Sequence, residues 1–434
     1  MSSKACVHTP INLHPEGPSI VKPKAVLAYC REKGIRFVDL RFSDNAGRWN
    51  HFTIPASALS ENSFSQGFGL ADFSPHSHII AVPNPEQSYL DPLQPSPTLI
   101  LFASVANAQT AEVWDYDARE VAKRSVEAVR SVGLADSVSV QLAASFNYRT
   151  ASSIDPESTQ SVGPGYLSGG RLDRDAALRA EIAELCSEAG VSIECHLLGN
   201  LEASEILLSH KSLVNACDEL LVLRSILESH ALSRNLELSP LVLSGESKWI
   251  LSKNSEPMIG GMQEFALSEL AWFAAGGVIR HQAALAAVAV AASAKPTPMP
   301  PPGTTVARGS SYLSSRGILA EHDLETLVSV HYGSFDPRHR ALCVRGLQSN
   351  ACPYLVLSAT LMAMIDGILN KIPPLTPSTL SYPSNPADPS NPDSHDLRLH
   401  ESELYKSLEQ DYQFLTFADV FSEQLIQGLI KTLS

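Results

Sequence analysis

Arg36-Phe37-Val38-Asp39-Leu40-Arg41-Phe42-Ser43 is followed by Asp44-Asn45-Ala46-Gly47 and then by Trp49-Asn50-His51-Phe52-Thr53-Ile54. Both flanking runs alternate apolar and polar side chains with a period of two, the pattern of a strand with one buried face. The four residues between them end in glycine, which accepts the positive φ of a tight turn at no steric cost. The segment therefore predicts a β-hairpin. Upstream, residues 24–33 place Val26, Leu27 and Cys30 on one helical face. Downstream, two more strands are expected at 78–82 and 98–103, separated by the proline-rich stretch 83–97. One short helix and a mixed set of strands make a small α+β domain over 21–109, behind a tail at 1–20.

From 110 to 434 the pattern changes to longer helices alternating with short buried strands, which is read as a second domain. Residues 117–132 repeat Val121, Val126, Val129 and Val132 at helical spacing, and 138–142 reads as a buried strand. A helix over 173–189 meets Gly190 as its C-cap. A strand is expected at 191–196 and a long helix at 213–231. The helical run 265–274 continues through Gly276-Gly277 into an alanine-rich helix, which the prolines of 296–302 stop. Residues 354–369 read as a core helix, and 402–433 return to helical spacing. Between them, 373–396 mixes proline with Ser, Asn and Asp, the composition of an extended mobile loop.

The 434 residues are enough for two full-sized cores, and 44% hydrophobic with 18% charged residues is the balance of a globular protein. A net charge of -14, with no basic block, argues against nucleic acid as a partner. Seven cysteines, an odd number without a CxxC pair, are the usage of a reducing compartment. The first residues carry no apolar leader core, and the apolar stretch 283–294 is shorter than the roughly 20 residues that span a bilayer. A cytoplasmic protein without membrane contact is expected.

Several strings, in order along the chain, resemble the type I glutamine synthetase family. The hairpin with Asp44 and Gly47 resembles that family's opening β-grasp strands, and Val82-Pro83-Asn84-Pro85 with Tyr89-Leu90-Asp91-Pro92-Leu93 resembles the strand that follows. Asp115-Tyr116-Asp117-Ala118-Arg119 with Ala122-Lys123-Arg124 is similar to the first helix of its catalytic domain. Gly276-Gly277-Val278-Ile279-Arg280-His281 and Pro353-Tyr354-Leu355, continued by Leu361-Met362-Ala363-Met364-Ile365-Asp366-Gly367-Ile368, resemble two of its helices. Tail helices around Tyr412-Gln413-Phe414-Leu415 and Phe421-Ser422-Glu423 match as well. The resemblance implies an α+β glutamine synthetase fold: an N-terminal β-grasp domain, then a catalytic-type domain with a curved antiparallel sheet and outer helices. It also implies a ring in which one subunit's small domain closes its neighbour's site.

In that family an enzyme phosphorylates a carboxylate with ATP and lets ammonia displace the phosphate. Magnesium or manganese, held by carboxylates and a histidine, offsets the negative charge this brings together. Position by position, the resemblance puts most of those ligands on residues that cannot serve. The E-x-E strand falls on Ala143 and Ser145, the histidine near Lys248, a late glutamate on Cys343, and the flap glutamate near Thr305. Gly199-Asn200-Leu201-Glu202 resembles a ligand string and keeps Glu202; the ligand upstream of it falls on Cys195 or Glu194. Arg316 matches an arginine that handles substrate carboxylate or phosphate, Arg345 and Ser252 match nucleotide-side residues, and Asp72 an acid at the subunit boundary. The bland readings are structural ion pairs for the two arginines and an exposed acid for Glu202.

Replacement chemistry has few candidates. His76-Ser77-His78 sets two imidazoles on one face of an extended segment, a spacing metals use. Cys343 is either a nucleophile in a changed pocket or a small residue filling a glutamate's space. Neither a phosphate-loop nor a G-x-S-x-G motif is present. The expected function is a glutamine synthetase-like pseudoenzyme without cofactor, forming a ring alone or mixed with an intact homologue, and able to hold a small ligand. The alternative is a repurposed carbon–nitrogen ligase with another acyl or amine substrate, for which ATP and Mg or Mn would return. A third reading is a purely structural assembly protein.

Overall fold

The computed structural model describes residues 22–44, 48–70, 79–110, 114, 117–149, 167, 173–199, 203–238, 242–293, 316–321, 326–336, 339–346, 351–378 and 401–433. The chain opens with helix α1 (Pro23–Glu32), which carries proline in its first turn, where no amide donor is missed. Strands β1 (Phe37–Ser43) and β2 (Trp49–Pro55) pair antiparallel, Phe37 opposite Pro55 and Ser43 opposite Trp49. After the single-turn α2 (Ser63–Gln66) come β3 (Phe68–Leu70), β4 (Ile79–Leu90) and β5 (Thr98–Asn107). The sheet order is β2-β1-β5-β4-β3, with β1 and β5 parallel. Val26, Cys30, Val38, Leu40, Leu99 and Leu101 form the core between α1 and the sheet.

One expectation is corrected here. Strand pairing does not stop at Pro83 but continues to Leu90, with a register shift between Pro83 and Ser88. Proline lacks the amide that a ladder needs, so Pro83 and Pro85 are accommodated at the irregularity instead of ending the strand.

The second sheet is built from β6 (Ser137–Phe146), β8 (Ile193–Leu198), β9 (Ser204–Leu208), β10 (Lys211–Ser212), β12 (Val242–Lys253), β13 (Glu256–Pro257), β14 (Arg316–Ala320), β15 (Thr326–Tyr332) and β16 (Arg340–Arg345). Its main path runs β14-β15-β16-β12-β6-β9-β8, while β10 adds to β6 and β13 to β12. It is antiparallel apart from the parallel edge pair β14–β15. A separate ribbon pairs β7 (Tyr148–Arg149) with β11 (Glu237–Leu238).

Helices α3 (Ala118–Ser131), α4 (Ala176–Ala189), α5 (Leu213–Ser233), α6 (Glu269–Arg280), α7 (Gln282–Ala291), α8 (Pro353–Leu369), α9 (Glu401–Gln410), α10 (Gln413–Thr416) and α11 (Glu423–Leu433) are the described α-helices of this part of the chain. Asp117 caps α3 by accepting from the amides of Arg119 and Glu120, and its other oxygen accepts from Val105 at 2.9 Å, tying the helix to β5. Gly190 closes α4 in the left-handed region at φ 94°.

The glycines of two motif strings explain how α6 meets α8. A Cβ at Gly277 would collide with the Ala363 carbonyl and stand 2.8 Å from the Gly367 Cα, and one at Gly367 would collide with the Phe273 carbonyl. Only hydrogen at these positions lets the backbones approach so closely. Among the described residues no single helix is long and apolar enough to cross a membrane. The apolar pair α6–α7 is bent by 64° at His281 and most of its residues lie in the main core.

Candidate functional site

Strand alternation divides the large sheet into two faces. On β6, Val138, Val140, Leu142, Ala144 and Phe146 are buried in the main core against the helices. Ser139, Gln141, Ala143 and Ser145 therefore face the other way. On β12, Trp249 and Leu251 enter the core, which leaves Glu246 and Lys248 on that same open face. Register then sets its neighbours. Lys248 lies opposite Gln141 on one side and opposite Cys343 on the other; Glu246 is opposite Arg345, Cys343 opposite Ser329, and Ser145 opposite Glu205.

The side chains of this face are partly committed to one another. Arg345 donates to the Thr326 carbonyl at 2.9 Å and to Ser329 Oγ at 3.2 Å, and its other terminal nitrogen stands 3.7 Å from Glu246 Oε1. This is the structural-anchor reading of Arg345. The Cys343 thiol is buried; burial, followed by the charge of Glu246 and a hydrogen bond donated to it, pushes its pKa well above the ordinary range. A protonated, covered thiol fits the space-filling role and does not fit a nucleophile. Gln141 donates to Glu194 and, at 3.0 Å, to the Leu208 carbonyl. Cys195 is exposed, and desolvation and then the Glu194 charge push its thiol up.

Glu205 is half-buried, and burial, then the charge of Glu246, pushes it up to about 7 against the opposing pull of Lys248. Its carboxylate lies against Gly199, where a Cβ would stand 2.7 Å from Glu205 Oε2. His210 is lowered to about 4 by burial, then by Lys248 and His331, so it is neutral near pH 7. The Lys248 side chain is half-buried and, among the described residues, forms neither an ion pair nor a hydrogen bond.

Glu202, Asp72, His76, His78 and Thr305 lie outside the described residues, and of Arg316 the structure describes only the backbone at the start of β14. Ser252 sits near the end of β12, where its carbonyl accepts from Asp136 at 2.9 Å. Glu194, Lys248, Cys343 and Arg345 are brought to one face. Sequence reasoning passed over Glu205, Glu246, His210 and His331. The signal for Glu246 was available, because a residue two positions before Lys248 on the same strand shares its face. No comparable signal marked His210, which lies in the short connection between β9 and β10.

Residues 34–108 match the family model described as "Glutamine synthetase, beta-Grasp domain", and residues 115–295 and 320–432 match "Glutamine synthetase, catalytic domain". The chain belongs to the glutamine synthetase family. A glutamine synthetase of Aquifex aeolicus is 27% identical over 450 residues, with 94% of each chain covered, and one of Methylococcus capsulatus is 27% identical with the same coverage. Among solved structures, Plasmodium falciparum glutamine synthetase superposes with a TM-score of 0.76 at 18% identity, covering 96% of both chains. The GmaS/ADP complex gives 0.74 at 20% identity, covering 93% of this chain and 94% of that one. The fold expected from the motif strings is thereby established: a β-grasp sheet followed by the family's α+β catalytic fold.

Family membership raises the question of whether the residues present fit the family's divalent ions. Such an ion needs several oxygen or nitrogen donors converging on one point. The open face presents Ala143 and Ser145 where the resemblance expects two carboxylates, a protonated thiol at Cys343, and a cation at Lys248. Among the described residues no group of three or more His, Cys, Asp or Glu side chains could hold a metal ion. The described face of this glutamine synthetase family member does not fit the family's metal centre.

Proposed function

We propose that this chain is a pseudoenzyme of the glutamine synthetase family, a protein that uses the scaffold without metal-dependent ATP ligation. The observation that carries this reading is Lys248, seated between Gln141 and Cys343 in the middle of the open face. Ligation brings a carboxylate up to a triphosphate, and divalent ions normally bridge and neutralise the groups that meet. A single ammonium on a flexible stem cannot bridge them, and it repels a cation that approaches. Electrostatic stabilisation is usually the largest catalytic term, so its loss removes most of the rate. The test is phosphate release from ATP with glutamate and ammonia, in magnesium or manganese. No release above background is expected; turnover of about one per second or more would overturn the reading.

Glu194, Glu205 and Glu246 on the same face favour a second reading, a carbon–nitrogen ligase with another substrate pair. The same assay with a panel of amines and carboxylic acids in place of ammonia and glutamate distinguishes it, since any metal-dependent release would place the chain there. In either case the protein is proposed to work in the cytoplasm as a self-assembled ring, alone or mixed with an intact homologue. The small core under α1 and the edge strands β2 and β3 support this, because an uncovered edge invites pairing. Mass photometry should show about five or six subunits per layer rather than a monomer.

A further inference from the structure

The small domain carries a cleft whose lining residues all fall between Leu27 and Asn62, apart from the large sheet. Its volume is about 660 Å³. Small-molecule sites span roughly 300–1,000 Å³. Three pieces of chain wall it: the second half of α1 with the turn at Gly34, the turn Ala56–Ala58 that leaves β2, and residues 60–62 ahead of α2. The floor is apolar. The Ile35 amide donates to the Cys30 carbonyl at 2.8 Å, which folds the end of α1 back on itself, and Cys30, Ile35 and Leu59 are all buried there. Leu27 and Ala56 pack against the same core and are only partly covered.

The rim is polar and largely uncommitted. The Arg31 side chain, in the last turn of α1, is exposed and forms neither an ion pair nor a hydrogen bond among the described residues. Asn62 stands at the N-cap of α2 without capping it, and the Ser57 hydroxyl is likewise without a partner there. Glu61, the acid among the lining residues, has Lys24 at 3.9 Å. The unbalanced charge at the mouth is therefore that of Arg31. The negative end of α1 does not offset it, because the carbonyls of Tyr29, Cys30 and Arg31 already accept from Lys33, Ile35 and Gly34.

We propose that this cleft binds a small monocarboxylate with an apolar body, the carboxylate pairing with the Arg31 guanidinium at the rim and the body lying over Leu27, Ile35 and Leu59. A planar guanidinium fork matches a carboxylate. One unbalanced cation suits a single negative charge, not a polyphosphate. The apolar floor repays the burial of a hydrocarbon body, which an inorganic anion lacks. The site shares no residue with the open face of the large sheet, so it stands or falls independently of the pseudoenzyme reading.

The experiment is calorimetric titration of the full chain, in its native assembly, with octanoate. 1-Octanol serves as the neutral counterpart, and acetate as a carboxylate without the body. Octanoate should bind saturably with a Kd of about 1 mM or below. 1-Octanol should bind about fivefold more weakly, the measure of an exposed ion pair. Acetate should bind at least about tenfold more weakly for want of apolar contact. Arg31→Gln should bring octanoate down to the level of 1-octanol and leave 1-octanol unchanged, while Arg31→Lys, which keeps the charge, should retain most of the difference. Ser57→Trp sets a bulky ring at the rim and should abolish binding of both. Both replaced side chains are exposed, so the variants should keep the melting transition of the parent. Absence of saturable octanoate binding, as when a second copy covers the cleft, would overturn the proposal. So would equal binding of octanoate and 1-octanol, or octanoate binding that survives both Arg31→Gln and Ser57→Trp.

Discussion

Behind the large sheet, Arg119 is gripped by Asp218 through two nitrogens at 3.0 and 2.8 Å, and Tyr354 donates to the same carboxylate. In front of it, the Lys248 side chain forms no ion pair or hydrogen bond among the described residues. Both cations belong to one fold and lie on elements that contact strand β6. The rear one is buried and held through two nitrogens, with Nη1 left without a partner; the front one is half-buried and its side chain has no partner among the described residues. The front face also holds a buried, paired cation, Arg345 beside Glu246, and Lys248 differs from both arginines in having no side-chain partner among the described residues. On the rear face the charge is bound into the packing of α3, α5 and α8, and at Lys248 it is not.

The sharpest way to break this comparison is to damage the rear. Asp218→Ala leaves the Arg119 guanidinium buried without its counter-charge, and should cost about 3–5 kcal/mol in urea unfolding. Gly277→Val forces a branched side chain into the Ala363 carbonyl and the Gly367 backbone, and should cost about 3 kcal/mol or prevent folding. Equal tolerance of these changes and of front-face changes would remove the distinction between faces.

A third prediction concerns the C-terminal helices. His281, at the bend between α6 and α7, donates from Nδ1 to Asp411 at 2.8 Å and from Nε2 to Asp366 at 3.0 Å, and stacks on Phe414 with centroids 4.0 Å apart. Burial pulls its pKa down, but the two carboxylates outweigh burial and the balance lies above the ordinary 6.5. A raised folded-state value means the stabilisation is complete below the unfolded value and fades as pH rises through the folded one. Asp411→Asn should therefore cost about 1 kcal/mol near pH 5.5, with Asp411's partial exposure allowed for, and less near pH 9. Thermal melts across that range read the difference; a pH-independent loss would mean that the imidazole is not charged in the folded state.

The smallest effect is expected at the front. Lys248→Met replaces an unpaired ammonium with an apolar side chain of similar length, and should change stability by no more than about 0.5 kcal/mol, or raise it. A loss as large as that of Asp218→Ala would show that Lys248 belongs to the structural charges after all.

The rear face was legible in the sequence, and the front face only in part. Val121 and Val129 announce themselves by helical period and Gly190 as a C-cap, and each does what that reading implies, while Gly276-Gly277 and Asp366-Gly367 were marked only by the motif strings they belong to. Strands β9, β12, β15 and β16 were not read as strands. Their residues face a core on one side and a polar face on the other, so Glu205, Glu246 and Lys248 interrupt the apolar pattern that marks a strand. Ala143, Ser145 and Cys343 could be set against the ligand positions that the resemblance implies because they sit beside motif strings. That Lys248 and Glu205 share one face of the sheet was not visible, since it follows from strand pairing across β6, which a linear reading does not supply.

The central claim is that the open face carries its cation covalently, as Lys248, and has no place for a divalent ion. Manganese titration of the metal-stripped full chain, followed by electron paramagnetic resonance of the free ion, tests this most directly. The free-ion signal should rise linearly from the first addition, with no tight equivalent, and Lys248→Met should not change the slope. A signal suppressed until one or more equivalents per chain have been added would contradict the account.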